Sequence, residues 1–189
     1  MNLSALGNAL YILWFLSEVA IFVFTRTRSG KGEVKDRGSL LLLWVVIFAS
    51  LYIGPLYADT HAPNMFGNAH WLRYAGLALL IAGLAIRWTA VLSLGRAFSA
   101  NVAIRSEQKL KTNGLFRFAR HPSYFGLLLV IVAIGLHGHN WIAFAIAVVP
   151  PFAAISYRIH VEELALTSAF PDSYAAYSRR TKRLIPGIY

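Results

Sequence analysis

Five apolar blocks, parted by connections that alternate between basic and free of Lys and Arg, constrain this chain more than any other feature. The blocks run from about Leu3 to Phe24, Leu40 to Tyr57, Trp71 to Leu94, Phe125 to Leu136 and Trp141 to Tyr157. A bilayer-crossing helix needs about 20 residues at about 1.5 Å each. The first block is read as a retained helix over roughly residues 4–24. Its start carries no charge and its basic residues follow it, the reverse of a secretory leader. The second closes at Gly54-Pro55, and the fifth contains Pro150-Pro151. The fourth reaches a marginal length only if its helix starts at Pro122, a favoured first-turn position. Gly138 and Asn140 then supply a turn that makes blocks four and five a helical hairpin, re-entrant or tilted.

Composition agrees with lipid as the solvent. Hydrophobic residues make up 57% of the 189 positions and charged ones 14%, where soluble domains sit near ~45–50% and ~25%. The formal charge of +10, from 18 Lys+Arg against 8 Asp+Glu, is confined to the connections, which argues against a nucleic-acid partner. With no cysteine, thiol nucleophiles, disulfides and Cys-based metal sites are excluded. Residues 25–38 carry Arg26, Arg28, Lys31, Lys35 and Arg37, while 58–70 carry no Lys or Arg. Residues 95–122 are again basic, the turn 137–140 is not, and the tail carries Arg158, Arg179, Arg180, Lys182 and Arg183. The positive-inside rule then predicts an integral, multi-pass membrane protein with its N-terminus outside and its C-terminus cytosolic. The two long basic connections, 95–122 and the tail, would face cytosolic substrates. The oligomeric state is not legible.

Three stretches carry the polar groups that chemistry needs. In the first, Asn101 to Arg105 alternates like a short extended segment, Asn113-Gly114 marks a turn, and Arg120-His121-Pro122-Ser123-Tyr124-Phe125-Gly126 opens block four. Proline steers His121 away from helix, so His121 stands at a helix entrance, where backbone N–H groups favour an anionic group such as a carboxylate. A positive-inside cluster beside a proline-started helix explains the same residues. In the second stretch, Arg158-Ile159-His160-Val161-Glu162-Glu163 continues the fifth helix, and Arg158 and Glu162, four apart, share a face. They form either a surface ion pair or a split site, with a cation for an anionic substrate and a carboxylate for a cofactor amine or hydroxyl. In the third, Tyr174 and Tyr177 share a helical face, a spacing that favours an interfacial aromatic belt over a pocket cap. Glu18 and Arg87 either pair within the bundle or reach an interface. Gly76 and Gly83 permit close helix contact. His137 and His139 lack further ligands, so no metal is expected, and no G-x-G-x-x-G follows a strand, so a Rossmann site is unsupported.

Residues 120–126 match the R-H-P-x-Y-x-G signature of isoprenylcysteine carboxyl methyltransferases, and Arg158 with Glu162-Glu163 and Leu166 matches that family's R-x-x-x-E-E-x-x-L. Gly95-Arg96, Asn101-Val102 and Gln108-Lys109-Leu110, and the tail from Phe170 through Tyr174, Tyr177 and Thr181 to Arg183-Leu184-Ile185-Pro186, also resemble it. The likeness covers about residues 94–188. The wider group includes phospholipid N-methyltransferases and small-thiol S-methyltransferases. The resemblance implies an all-α integral membrane protein of about five transmembrane helices, whose cytosolic C-terminal half encloses S-adenosylmethionine without a Rossmann fold. A three-helix scaffold over 1–94 would then support a cofactor-binding catalytic half over 95–189 in one membrane-embedded domain.

By the same resemblance, Gln108, Lys109, Leu110, Lys111, Phe116, His121, Pro122, Ser123, Tyr124 and Glu162 fall at cofactor contacts, with Asn101 as an addition. Arg158 falls at the substrate position, and Arg158 and Glu162 form the catalytic pair. Phe116 stands where the family often has tyrosine. Ser168-Ala169-Phe170 replaces its eukaryotic Phe-Phe doublet. The implied activity is S-adenosylmethionine-dependent carboxyl O-methylation of a lipophilic, isoprenylcysteine-like substrate at the membrane. Phospholipid N-methylation and thiol S-methylation are alternatives within the group. An NADPH-dependent membrane reductase and a non-catalytic lipid-binding protein are alternatives outside it.

Overall fold

The computed structural model describes residues 3–25, 33–34, 38–61, 70–99, 103–104, 109–137 and 140–189. Among these described residues, six α-helices follow in order: α1 (Leu3–Thr25), α2 (Ser39–His61), α3 (His70–Leu94), α4 (Pro122–His137), α5 (Trp141–Ala169) and α6 (Pro171–Ser178). Glu33–Val34 (β1) and Ala103–Ile104 (β2) form a two-residue antiparallel ladder, so the alternation read near residue 103 is extended backbone. Helices α1, α2, α3 and α5 are long and apolar enough to cross a membrane. Helix α4 has 16 residues, about 24 Å at the helical rise, short of the ~30 Å hydrocarbon core. Large apolar side chains such as Leu16, Leu41, Tyr52, Ile81, Leu92 and Val149 point outward, as they must when lipid is the solvent. The chain is a multi-pass membrane protein with a helical fold.

Two antiparallel helix pairs build the bundle. Helix α3 meets α4 through backbone: a Cβ added at Gly83 would lie 2.7 Å from the Gly126 carbonyl oxygen, and one at Gly126 would lie 2.6 Å from that of Gly83. This is the close approach that small residues permit between membrane helices, and Gly76 faces the Ala133 carbonyl further along. Helix α2 meets α5 along a seam of Ser39, Leu43, Ile47, Ser50, Gly54 and Ala58. There a Cβ on Gly54 would lie 3.0 Å from the Ala143 carbonyl oxygen and 3.7 Å from the Ala147 Cβ.

Gly54-Pro55 does not close the second helix, contrary to the sequence expectation. Helix α2 runs on to His61 with Pro55 inside it. Proline removes one hydrogen bond, but a full break here would open more backbone groups to lipid, and the contact of Gly54 with α5 holds the helix in line. Pro150 and Pro151 are carried within α5 in the same way. At the start of α5 the Asn140 side chain accepts from the backbone N–H groups of Ile142 (2.9 Å) and Ala143 (3.0 Å), a regular N-cap.

The pairings gather the ends of α1 and α3, the starts of α2 and α4, and the exit of α5 at one end of the bundle. The tail returns to this end. Lys182 bridges Ala119 in parallel, the N–H groups of Arg120 and His121 donate to the carbonyls of Lys182 (2.8 Å) and Arg183 (3.0 Å), and Leu184 is buried in the main core.

Candidate active site

A cleft with about 670 Å³ of space, counting its open mouth, lies at this end. Ile21 and Phe22 of α1, Leu40, Leu43 and Trp44 of α2, and Leu94 and Phe98 form its apolar side. Glu18, Arg87, Arg120, His121, Ser123, Tyr124 and Glu162 supply its polar side, with Phe116, Ser99, Pro122 and Leu127 between.

Apart from Tyr124, the polar side is held by two networks. In the first, the Arg87 guanidinium grips the Glu18 carboxylate by both Nε and Nη2, the latter at 2.6 Å, and Nη1 donates to Ser123 Oγ at 2.7 Å and to the Ser123 carbonyl at 3.2 Å. All three residues are buried. Of the two readings of Glu18 and Arg87, the structure takes the pair within the bundle. A buried charge keeps its place only when its partners satisfy it, and this forked contact does so.

In the second network Glu163 is the hub. Its Oε1 accepts from Arg120 Nε at 2.8 Å and lies 3.4 Å from His121 Nε2, while its Oε2 accepts from Arg183 Nε at 2.8 Å. Arg120 Nη1 also donates to the carbonyls of Ser178 (3.1 Å) and Thr181. The acidic doublet is thereby divided. Glu163 is consumed in tying the motif at 120–121 to the tail. Glu162, its side chain 32% exposed, faces the cleft 3.9 Å from His121 Nδ1.

Of the sequence-derived site residues, Phe116, His121, Pro122, Ser123, Tyr124 and Glu162 line this one cleft. Arg158 stands directly behind its wall, 1% exposed. Its Nε donates to the Tyr124 hydroxyl at 3.2 Å and its Nη1 to Ser39 Oγ at 2.5 Å. It is not the surface residue that an exposed Arg158–Glu162 pair requires, because the α2 seam covers it. Lys109 is exposed, Lys111 Nζ reaches the Ser93 carbonyl at 2.7 Å, and Leu110 packs on the cluster of Phe116, Tyr174 and Tyr177; none of the three lines the cleft. Asn101 and Gln108 lie outside the described residues, as does His139.

Tyr174 and Tyr177 are not an interfacial belt. Both are buried, packed against Phe116, because α6 turns back beneath the 3₁₀ turn at Gly114–Arg117. The Tyr177 hydroxyl donates to the Phe116 carbonyl at 2.5 Å, and burial pushes this phenol up to about 12 despite the nearby Arg120. A pKa raised in the folded state contributes stability that is whole below the unfolded value of about 10 and is lost as pH climbs through the folded value. Tyr177→Phe is expected to lower stability by about 1 kcal/mol at neutral pH. Thermal melts of wild type and variant should converge as pH rises toward 12.

Residues 76–168 match the model of the isoprenylcysteine carboxyl methyltransferase family. These residues belong to that family. The chain is 36% identical over 123 residues to protein-S-isoprenylcysteine O-methyltransferase B of Arabidopsis thaliana, covering 62% of this chain and 61% of that protein. It is 25% identical over 205 residues to the protein-S-isoprenylcysteine O-methyltransferase of Dictyostelium discoideum, covering 90% and 83%. Among solved structures it resembles the eukaryotic intramembrane Ras methyltransferase ICMT, with a TM-score of 0.59 and 28% identity over 79% of this chain and 51% of that one. The chain therefore spans under two thirds of the Arabidopsis relative and about half of the solved one. Helices α1 and α2 precede the segment matched by the family model, yet Glu18 and Trp44 line the cleft and Ser39 contacts Arg158 behind its wall. Sequence reasoning missed Ser39 and Trp44. Their only signal was a lone hydroxyl and an indole in phase with an apolar seam.

Proposed function

We propose that the chain is a membrane methyltransferase that esterifies the carboxylate of an isoprenylcysteine-like acceptor with a methyl group from S-adenosylmethionine. The observation that carries this reading is that the helix entrance at 120–124 and the α5 exit at Glu162 line one cleft. Bound there, S-adenosylmethionine would supply a methyl group activated on a sulfonium.

The residues present fit such a group. Glu162 offers a part-exposed carboxylate for an ammonium or ribose hydroxyl, His121 and the first turn of α4 would receive a carboxylate, and Phe98 and Phe116 give apolar walls. The Tyr124 hydroxyl accepts from Arg158, and among the described residues it donates to none. Its proton is therefore free for an anionic acceptor, with the Arg158 charge behind it. A carboxylate acceptor is already ionised near neutral pH and needs no general base. An amine acceptor would need one, and here Glu163 is engaged by two guanidinium groups while His160 is exposed. That contrast favours the carboxylate over the amine.

The apolar side formed by α1 and α2 would receive the lipid portion of the acceptor from the bilayer. The end of the bundle that holds the cleft would face the cytosol. The whole chain would act as one membrane-embedded unit, since residues on both sides of position 94 build the cleft.

Incubating the protein in vesicles with methyl-labelled S-adenosylmethionine and a panel of prenylcysteine, aminophospholipid and thiol acceptors tests this reading. Base-labile label on the prenylcysteine acid is expected, and base-stable label on an amine or thiol would replace the reading. Glu162→Ala is expected to weaken adenosylhomocysteine binding by about tenfold, as loss of a charge-assisted contact does. Calorimetric titration checks it, and an unchanged affinity would remove Glu162 from the cofactor site.

A further inference from the structure

We infer that Ser39 is a positioning residue of the acceptor site, the hydroxyl that sets the Arg158 guanidinium behind Tyr124. The inference rests on the carboxylate reading above and extends the site into α2, outside the segment matched by the family model.

The seam between α2 and α5 is apolar or small along most of its length, and Gly54 faces Ala143 and Ala147 near one end. Fifteen residues further along each of these two antiparallel helices stand Ser39 and Arg158. A guanidinium buried here needs acceptors, since arginine has none of its own to offer in exchange. Ser39 Oγ supplies one at 2.5 Å and the Tyr124 oxygen another at 3.2 Å. Two contacts on different nitrogens fix the plane of the fork, so Nε is aimed at the cleft side through Tyr124.

Ser39 is not required to start the helix. The Gly38 carbonyl already accepts from Leu42 N–H at 3.0 Å, so Ser39 occupies the first helical position. There an aspartate suits the helix dipole as well as a serine does. The two roles thus separate by substitution. Ser39→Asp keeps the helix start but sets a carboxylate against Arg158, competing with an anionic acceptor for the same cation. Ser39→Thr keeps the hydroxyl, and Ser39→Ala removes it.

The test is steady-state methylation of a prenylcysteine acid by the full chain in vesicles, beside adenosylhomocysteine titration and thermal melting. We expect Ser39→Asp to melt near the wild type and bind adenosylhomocysteine normally, yet raise KM for the acid by about tenfold or more. Ser39→Thr is expected to behave as wild type and Ser39→Ala to fall between. Wild-type KM and kcat in Ser39→Asp would overturn the inference. Should that variant fail to accumulate, the alanine–threonine contrast decides: equal KM values overturn it, and a raised KM in alanine alone upholds it. A wild-type protein that binds adenosylhomocysteine but esterifies no prenylcysteine acid would overturn the carboxylate reading, and this inference with it, a result distinct from activity that survives Ser39→Asp.

Discussion

Arg158→Ala is expected to abolish detectable methyl transfer while leaving adenosylhomocysteine affinity within about twofold of wild type. The expectation follows from where the guanidinium sits. It is buried between α2 and α5, it touches Tyr124 and Ser39, and among the described residues it meets the cleft through the Tyr124 wall. The groups proposed to hold the cofactor, His121 and Glu162, belong to a different network, centred on Glu163. Deleting Arg158 removes the cation proposed for the acceptor and touches neither of them. Arg158→Lys retains charge but loses the fork, and so is expected to restore little. Radiolabel transfer and calorimetric titration on the same preparation check both halves. Loss of cofactor affinity in Arg158→Ala would show that the two networks are not independent.

The second large effect concerns the last residue of the R-H-P-x-Y-x-G motif. Gly126→Val is expected to destabilise the protein by about 3 kcal/mol or more, because a side chain forced into a filled contact displaces whatever it meets. Here even a Cβ would lie 2.6 Å from the Gly83 carbonyl oxygen and 2.7 Å from the Arg87 nitrogen. Both are backbone atoms of α3, so the helices must part. Parting them also withdraws Arg87 from Ser123, so cofactor binding should fall along with the melting temperature. Gly7→Ala is the control: nothing lies within 4 Å of a Cβ there, and alanine in a helix interior should be neutral or stabilising by up to about 1 kcal/mol. Thermal melting of the detergent-solubilised variants separates the cases. A Gly126→Val protein that melts with the wild type would refute the close α3–α4 contact.

The glycine of the motif is therefore a packing residue, while its histidine, serine and tyrosine face the cleft. This distinction could not be read from the chain. The helices themselves were legible, since apolar runs of spanning length leave few alternatives in lipid. The helix entrance at Pro122 and the continuation of α5 past Arg158 followed from proline geometry and from the lack of a breaker. Two expectations failed because local signals were outweighed by contacts distant in sequence. Pro55 lies inside α2 because Gly54 seats the helix on α5. Tyr174 and Tyr177 are buried because α6 turns beneath Phe116. The divided roles of Glu162 and Glu163 were hidden for the same reason. Their neighbours in the chain are alike, and what distinguishes them is Arg120, just before α4, and Arg183, on the returning tail. Ser39 is the extreme case, its partner lying 119 residues away.

The central claim is that the segment at 114–124 and the exit of α5 hold the same small molecule. Hydrogen exchange followed by mass spectrometry, on protein in vesicles with and without adenosylhomocysteine, tests it most directly, because backbone amides report local opening segment by segment. Joint slowing of exchange in peptides covering 114–124 and 158–167 is the predicted result. Protection of one segment with the other unchanged, or of neither at saturating ligand, would contradict it.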